Sequence, residues 1–281
     1  MSNNITKTDK TYFHCYATAN ESHLYLKDIQ NLSYIKNNYS GYEKVHLYIA
    51  VSEVKEQNNY DKCFFKMAKS MFYNHASIIL KEIYFKSNIG RDFSSFESLF
   101  HKVNKNACED DYILFQNRSG FGPCRDNWYQ EFVTQFEKFD SIAICGSTIS
   151  FKDHAKRSSS YNVPHIQTYS FLTKVSYMKM LEGKFPGAKE TNRYDIICNG
   201  EIGLSQFFLN IDYKITCIEW PNEVISKNSE PISKKDVKRI VTQKHFFYHR
   251  EYFKRNPKAK TTQYLIGLSA WINTLKGVSK K

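Results

Sequence analysis

The sequence predicts an α/β fold, with a mostly parallel central sheet flanked by helices and a basic, helical extension at the C-terminal end. Three observations carry this. Short runs rich in β-branched and aromatic residues alternate with longer amphipathic stretches, the pattern of strands and crossover helices. Two of these runs end in polar, glycine-bearing loops, where an open parallel sheet holds its ligand. The composition turns polar and basic near 226–238, which divides the chain into a main domain over 1–225 and an aromatic-rich extension over 226–281 that packs on it.

The elements follow in order. A first strand is expected over 12–17, a helix within 22–37 and a second strand over 45–51. A helical stretch over 60–74 leads to a third strand, 82–86, and then to a helix from about Phe93, with Asp92, Ser94 and Ser95 as capping groups. A fourth strand spans 112–116, followed by a helix over 128–139, strands over 141–145 and 166–172, a helix over 200–209 and a last strand over 213–219. There is no internal repeat.

At 281 residues and 41% hydrophobic, with 20 Tyr and 21 Phe, the chain can bury a substantial core, which excludes a disordered tail. A net charge of +12 suits phosphates, nucleic acid or an anionic membrane. A compositional bias that places Lys beside Asn and Ile accounts for it equally well. The seven cysteines are spread singly with no C-x-x-C, against both a zinc site and a disulfide framework. They read as small core hydrophobes in a reducing compartment. The first residues hold no apolar signal core and no run reaches the roughly 18 apolar residues of a membrane span. A cytoplasmic protein is expected, with peripheral contact at the inner face of the plasma membrane left open.

Two loops carry the candidate chemistry. In the first, Asn88-Ile-Gly-Arg-Asp92, Gly90 permits a tight strand-to-helix turn, Arg91 offers a forked cation, and Asp92 a carboxylate beside a helix N-terminus. The alternative is an ordinary capped turn with a surface arginine. In the second, Gln116-Asn-Arg-Ser-Gly-Phe-Gly-Pro123, backbone amides can approach a phosphate closely, or the segment simply reverses the chain. Two such loops at the ends of neighbouring strands make one crevice.

Asn88–Asp92, the stretch Asp111–Pro123 that includes the second loop, and Gly200-Glu-Ile-Gly-Leu-Ser-Gln206 together resemble the GT-A glycosyltransferases, in particular the bacterial rhamnan-synthesis-type and related surface-polysaccharide transferases. The resemblance covers about 12–220. It implies a Rossmann-like GT-A catalytic domain that moves a hexosyl unit from a nucleotide-diphosphate sugar, with UDP the leading nucleotide, to a hydroxyl of a glycan or lipid-linked glycan such as an O-antigen or capsule. It also implies that Asn88, Gly90, Arg91 and Asp92 bind the donor, and that the second loop stands where the family carries its metal-binding Asp-x-Asp.

Here the sequence departs from the family, because Asn117-Arg118-Ser119 replaces the acidic pair. Neutral Asn and Ser are weak ligands for Mg²⁺ or Mn²⁺. The expectation is therefore a transferase with no metal ligand and no obligatory cofactor, Mg²⁺ or Mn²⁺ remaining admissible, in which Asn117 and Ser119 bind donor and Arg118 stabilises the departing diphosphate. Glu201 looks like the base of an inverting enzyme, taking the acceptor's proton; its other reading is a carboxylate complementing a helix dipole.

His154, His165 and Gln167 are expected to line the acceptor pocket, with Asp153 an alternative base. Glu109, Asp110 and Asp111 read as a solvated turn and are the nearest acidic cluster to test for metal. In the extension, His249 and Arg250 are the cations expected to turn towards the donor phosphates, among aromatics that pack on the catalytic domain. A nucleic-acid-binding protein is disfavoured because no nucleic-acid motif is present. A non-catalytic scaffold of a glycan-assembly complex is the other alternative, motivated by the missing acidic pair.

Overall fold

The computed structural model describes residues 10–21, 24–231 and 245–251, with 261, 265, 268, 269 and 272. In chain order the elements are β1 (Tyr12–Ala19), α1 (Leu26–Asn37), β2 (Val45–Glu53), α2 (Asn59–Phe72), β3 (Ile78–Ser87), α3 (Arg91–Asn104), β4 (Tyr112–Asn117), β5 (Gly120–Phe121) and α4 (Trp128–Glu137). They continue with β6 (Ile142–Gly146), β7 (Ile149–Ser150), β8 (His165–Ile166), β9 (Ser170–Lys174), α5 (Val175–Lys179), α6 (Arg193–Asp195), a π-helical turn (Ile196–Ile202), α7 (Gly203–Asn210), β10 (Lys214–Cys217) and β11 (Tyr248–His249).

Seven strands form the main sheet in the order β10-β6-β9-β4-β1-β2-β3. All pairings are parallel except those of β9, which runs antiparallel to β4 and β6. Chain direction across the sheet reverses at β1: the chain first moves outward through β2 and β3, then returns to place β4 on the other side. The carboxyl ends of β1 and β4 therefore flank a topological switch point.

Period-two alternation sends successive side chains to opposite helix layers. Phe13, Cys15 and Ala17 of β1 and Ile113 and Phe115 of β4 join the core under α3 and α7. Tyr16, Tyr112 and Leu114 join the core under α1, α2 and α4. Phe96 of α3 meets Phe115 and Phe171 edge-on at 5.1 and 5.5 Å. Each such aromatic contributes about 1.5–3 kcal/mol through burial. These rings fix α3, and with it the loop before it, against β4.

The expected α/β class and mostly parallel sheet are present, with three differences in detail. The strand expected over 166–172 is split into β8 and β9 by buried polar residues Gln167 and Thr168. Helix α3 begins at Arg91 behind Gly90, which is left-handed (φ 69°), and no side chain caps it. Ser94 and Ser95 instead donate their hydroxyls to the Arg91 carbonyl, at 3.3 and 3.1 Å. The helix expected from Gly200 starts earlier, as a π turn. All seven cysteines are free, with Cys15, Cys145, Cys198 and Cys217 buried and Cys108 exposed.

The extension expected over 226–281 lies largely outside the described residues, but 245–251 are among them. Phe246 and Phe247 are buried in the core beneath α4, and β11 pairs antiparallel with β5. No helix among the described residues is long and apolar enough to cross a membrane.

Candidate functional site

The carboxyl ends of β1, β2 and β4 and the loop after β3 enclose a cleft of about 300 Å³, lined by Thr18, Ala19, Glu21, Ser52, Val54, Asn88, Arg91, Asp92, Arg118 and Ser119. Both loops singled out in the sequence thus open into one crevice. A larger hollow of about 470 Å³, beside α4 and Pro221, receives neither the ends of β1 to β3 nor the 88–92 loop.

The two loops are joined directly: Asn117 Nδ2 donates to Asp92 Oδ2 at 2.9 Å. Asn117 Oδ1 in turn accepts from the Ser119 amide at 2.8 Å. Burial pushes the Asp92 carboxyl above its ordinary value, against the opposing pull of Arg118, Lys86 and Arg91. Gly90 is required where it stands, because a Cβ there would lie 2.0 Å from the Ala188 carbonyl oxygen.

Arg118 sits in the cleft wall with every nitrogen engaged. Its Nε reaches Thr18 Oγ1 at 3.1 Å and Asp28 at 3.1–3.2 Å, Nη1 pairs with Glu21 at 2.7 Å, and Nη2 donates to the Ala19 carbonyl. Asp28 is wholly buried and also accepts from Tyr16 and Thr18. Arg118 thus neutralises an internal carboxylate and ties β4 to the end of β1. Arg91, by contrast, is exposed at the cleft, and no ion pair or hydrogen bond of its guanidinium is formed with the described residues.

Arg250 does not reach the cleft. It is buried behind the 118–119 turn, donating to the carbonyls of Arg118 (2.6 Å) and Lys27 (2.8 Å) and to Asn31 Oδ1 (2.9 Å), while its amide donates to the Ser119 carbonyl (2.8 Å). It props the cleft from below. His249 packs its ring on Tyr169 at 5.5 Å, and its backbone pairs with Gly120.

The expected acceptor residues occupy the excursion between β6 and β9, outside the cleft lining. His165 and Gln167 are buried, with His165 Nδ1 against the Val163 carbonyl (2.7 Å) and Nε2 against Gln167 Nε2 (3.3 Å). His154 meets the Tyr194 ring edge-on at 4.9 Å. Asp153 is held by Arg157, Ser158 and the His154 amide, bonds that outweigh burial and take it down to about 2.

Glu201 lies in the π turn before α7. That turn is brought against the first turn of α3 by close packing: a Cβ on Gly200 would lie 2.7 Å from the Phe93 ring, and one on Gly187 would lie 2.6 Å from Gly200 Cα. Single π turns occur often at functional sites.

Asp111 binds the amides of Thr11 and Cys108 at 2.7 Å each, at the amino end of β4. The acidic segment 109–111 is therefore at the opposite edge of the sheet from the cleft, which removes it as a ligand there. Within the cleft the carboxylates a cation would meet are Asp92 and Glu21. Among the described residues no group of three or more His, Cys, Asp or Glu side chains is placed to hold a metal.

Sequence reasoning missed Thr18, Ala19, Glu21, Ser52 and Val54. The signal was present, since all five lie within four residues of the end of a run recognised as a strand.

No family model matches the chain. No curated protein matches it either. Among solved structures it is similar to a galactosyltransferase in complex with donor and acceptor sugar analogues (11% identity, TM-score 0.38, over 67% of this chain and 69% of that one). It is also similar to a Pyrobaculum calidifontis mannosyltransferase in complex with GDP-mannose and Mn²⁺ (9%, 0.43, over 97% and 75%). A third likeness is to the Francisella tularensis 2-C-methyl-D-erythritol 4-phosphate cytidylyltransferase (14%, 0.41, over 82% and 97%). Glycosyl and cytidylyl transferases stand side by side here, and likeness at these scores assigns neither activity.

Proposed function

We propose that the protein is a glycosyltransferase that moves a hexosyl unit from a nucleotide-diphosphate sugar to a hydroxyl of a bacterial surface glycan. The observation that carries this reading is the joined pair of loops at the switch point, with Asn117 bonded to Asp92 and the Arg91 guanidinium at the cleft without a partner among the described residues. Open α/β sheets bind their ligands at this place, and a forked cation beside a helix N-terminus suits a diphosphate. The resemblance of segments 88–92, 111–123 and 200–206 to GT-A enzymes supports the same reading.

The proposed roles are assigned by position and by the resemblance. Arg91 and Asn88 receive the diphosphate, Asp92 and Asn117 orient the transferred sugar, and Ser119 presents its backbone at the cleft. Arg118 acts indirectly, by fixing the cleft wall and setting its charge. Glu201 is the proposed base, with the acceptor entering past the excursion between β6 and β9 that carries His154, His165 and Gln167. A divalent ion, if used, enters beside Asp92.

A thermal-shift series against UDP, GDP, CMP and dTDP, with and without Mn²⁺, tests the reading. A nucleotide that binds only the folded protein at a hundred times its dissociation constant adds about 2.7 kcal/mol. Failure of every nucleotide to shift unfolding would overturn it. The complete engagement of Arg118 favours one alternative, a non-catalytic scaffold; binding of a nucleotide without turnover of any nucleotide sugar would select it.

A further inference from the structure

Lys86 is the penultimate residue of β3 and pairs in register with Ser52 of β2, which lines the cleft. Its Nζ lies 2.5 Å from Ser94 Oγ, 3.2 Å from Ser52 Oγ, and 3.4 Å from each of the carbonyl oxygens of Ile89 and Arg91. Ser94 Oγ also donates to the Ile89 carbonyl. One ammonium thus gathers a strand end, the first turn of α3 with the Arg91 carbonyl, and the Ile89 carbonyl of the loop between β3 and α3. An ammonium has three donors and no acceptor, so only acceptors can surround it.

The loop needs such a hold. Gly90 and Arg91 are consecutive left-handed residues, with φ of 69° and 46°. For a side chain such as that of Arg91 this conformation costs roughly 1–2 kcal/mol. At 3.4 Å the carbonyl contacts are long for hydrogen bonds, so their strength comes chiefly from the charge on Nζ.

We infer that Lys86 is the positioning residue of this loop: from beneath, its ammonium keeps Asn88, Arg91 and Asp92 turned into the cleft. The functional half of this inference rests on the nucleotide reading given above; the structural half stands on the contacts alone. Loop order then depends on the charge of Lys86. Burial brings the Lys86 ammonium down to about 8, partly offset by Asp92 and Glu97 of α3. The other charge on the loop is Arg91, and Ser52 from β2 is neutral. Raising the pH through this value discharges Nζ and weakens its hold on both carbonyls.

The test compares wild type, Lys86→Arg and Lys86→Met, using two readouts: calorimetric affinity for CDP and UDP, and the amide resonances of Ile89, Gly90 and Asp92. In wild type the amides are expected to move with a midpoint near 8, and nucleotide affinity to fall about tenfold across it, about 1.4 kcal/mol. The arginine variant, charged throughout, keeps wild-type affinity and loses that midpoint. The methionine variant binds weakly at every pH and shows no titration of the loop. Wild-type amides that stay fixed across this range, or a midpoint that survives in the arginine variant, would overturn the inference. Loop amides that titrate in a protein that binds no nucleotide leave Lys86 its role and remove the nucleotide reading. Nucleotide binding that does not respond to either substitution removes the role and leaves the reading.

Discussion

Asn117, at the end of β4, and Asp92, in the first turn of α3, are 25 positions apart, yet the amide of one donates to the carboxylate of the other at 2.9 Å. The bond closes the cleft floor between the β4 end and the α3 N-terminus. It also puts a neutral donor where a second carboxylate would repel the first.

Asn117→Asp replaces that donor by an acid. Two carboxylates at this separation cannot both ionise cheaply, so without metal the variant should bind nucleotide at least about tenfold more weakly, about 1.4 kcal/mol. Mn²⁺ should restore the affinity, since the pair then offers two acidic ligands. Titrations of both proteins with and without Mn²⁺ check this; an Asn117→Asp protein indifferent to metal would contradict it.

Arg91 and Arg118 should respond oppositely. Arg91→Ala removes an exposed cation and should leave thermal stability nearly unchanged, while nucleotide affinity falls by about 1.5–3 kcal/mol, the range for hydrogen bonds to a charged group. Arg118→Ala leaves Asp28 buried without its counter-ion and should cost about 3 kcal/mol or more of stability. Denaturation and binding measured on the same two variants separate the roles.

Gly90→Ala should weaken fold and site together. The added methyl meets the Ala188 carbonyl oxygen at 2.0 Å, at a φ of +69°. A loss of about 2–3 kcal/mol is expected from strain and overpacking. Nucleotide affinity should fall in parallel, because moving Gly90 moves Arg91 and Asp92.

Asp153 supplies a pH test. Its folded-state value is depressed to about 2 from the ordinary 3.8 by its bonds to Arg157, Ser158 and the His154 amide. Its contribution to stability is therefore present above 3.8 and is lost as pH falls through about 2. Asp153→Asn should lower the unfolding temperature at neutral pH and flatten its decline across that window. A variant whose acid profile overlays wild type would refute the assignment.

Much of the sheet was legible because buried parallel strands are continuous apolar runs, and Tyr12–Ala19, Val45–Glu53 and Tyr112–Asn117 each show one. The antiparallel sense of β9 was not, since a fully buried run such as Phe171-Leu-Thr173 has the same character in either direction. The first loop was legible through Gly90, a residue that punctuates chain turns. The engagement of Arg118 was not, because its partner Asp28 lies 90 positions away inside an amphipathic helix and nothing local marks it as buried. Lys86 escaped notice for a related reason: a lysine at a strand end resembles any solvated one until the loop above it is folded.

The ribbon of β5 and β11 bears on the order in which the molecule is completed. A nascent chain that has emerged only through residue 231 already holds all seven strands of the main sheet. It does not yet hold Arg250, the guanidinium that fastens the Arg118 and Lys27 carbonyls to one another. During synthesis the scaffold can therefore precede the finished cleft, whose wall awaits a residue made after every strand that supports it.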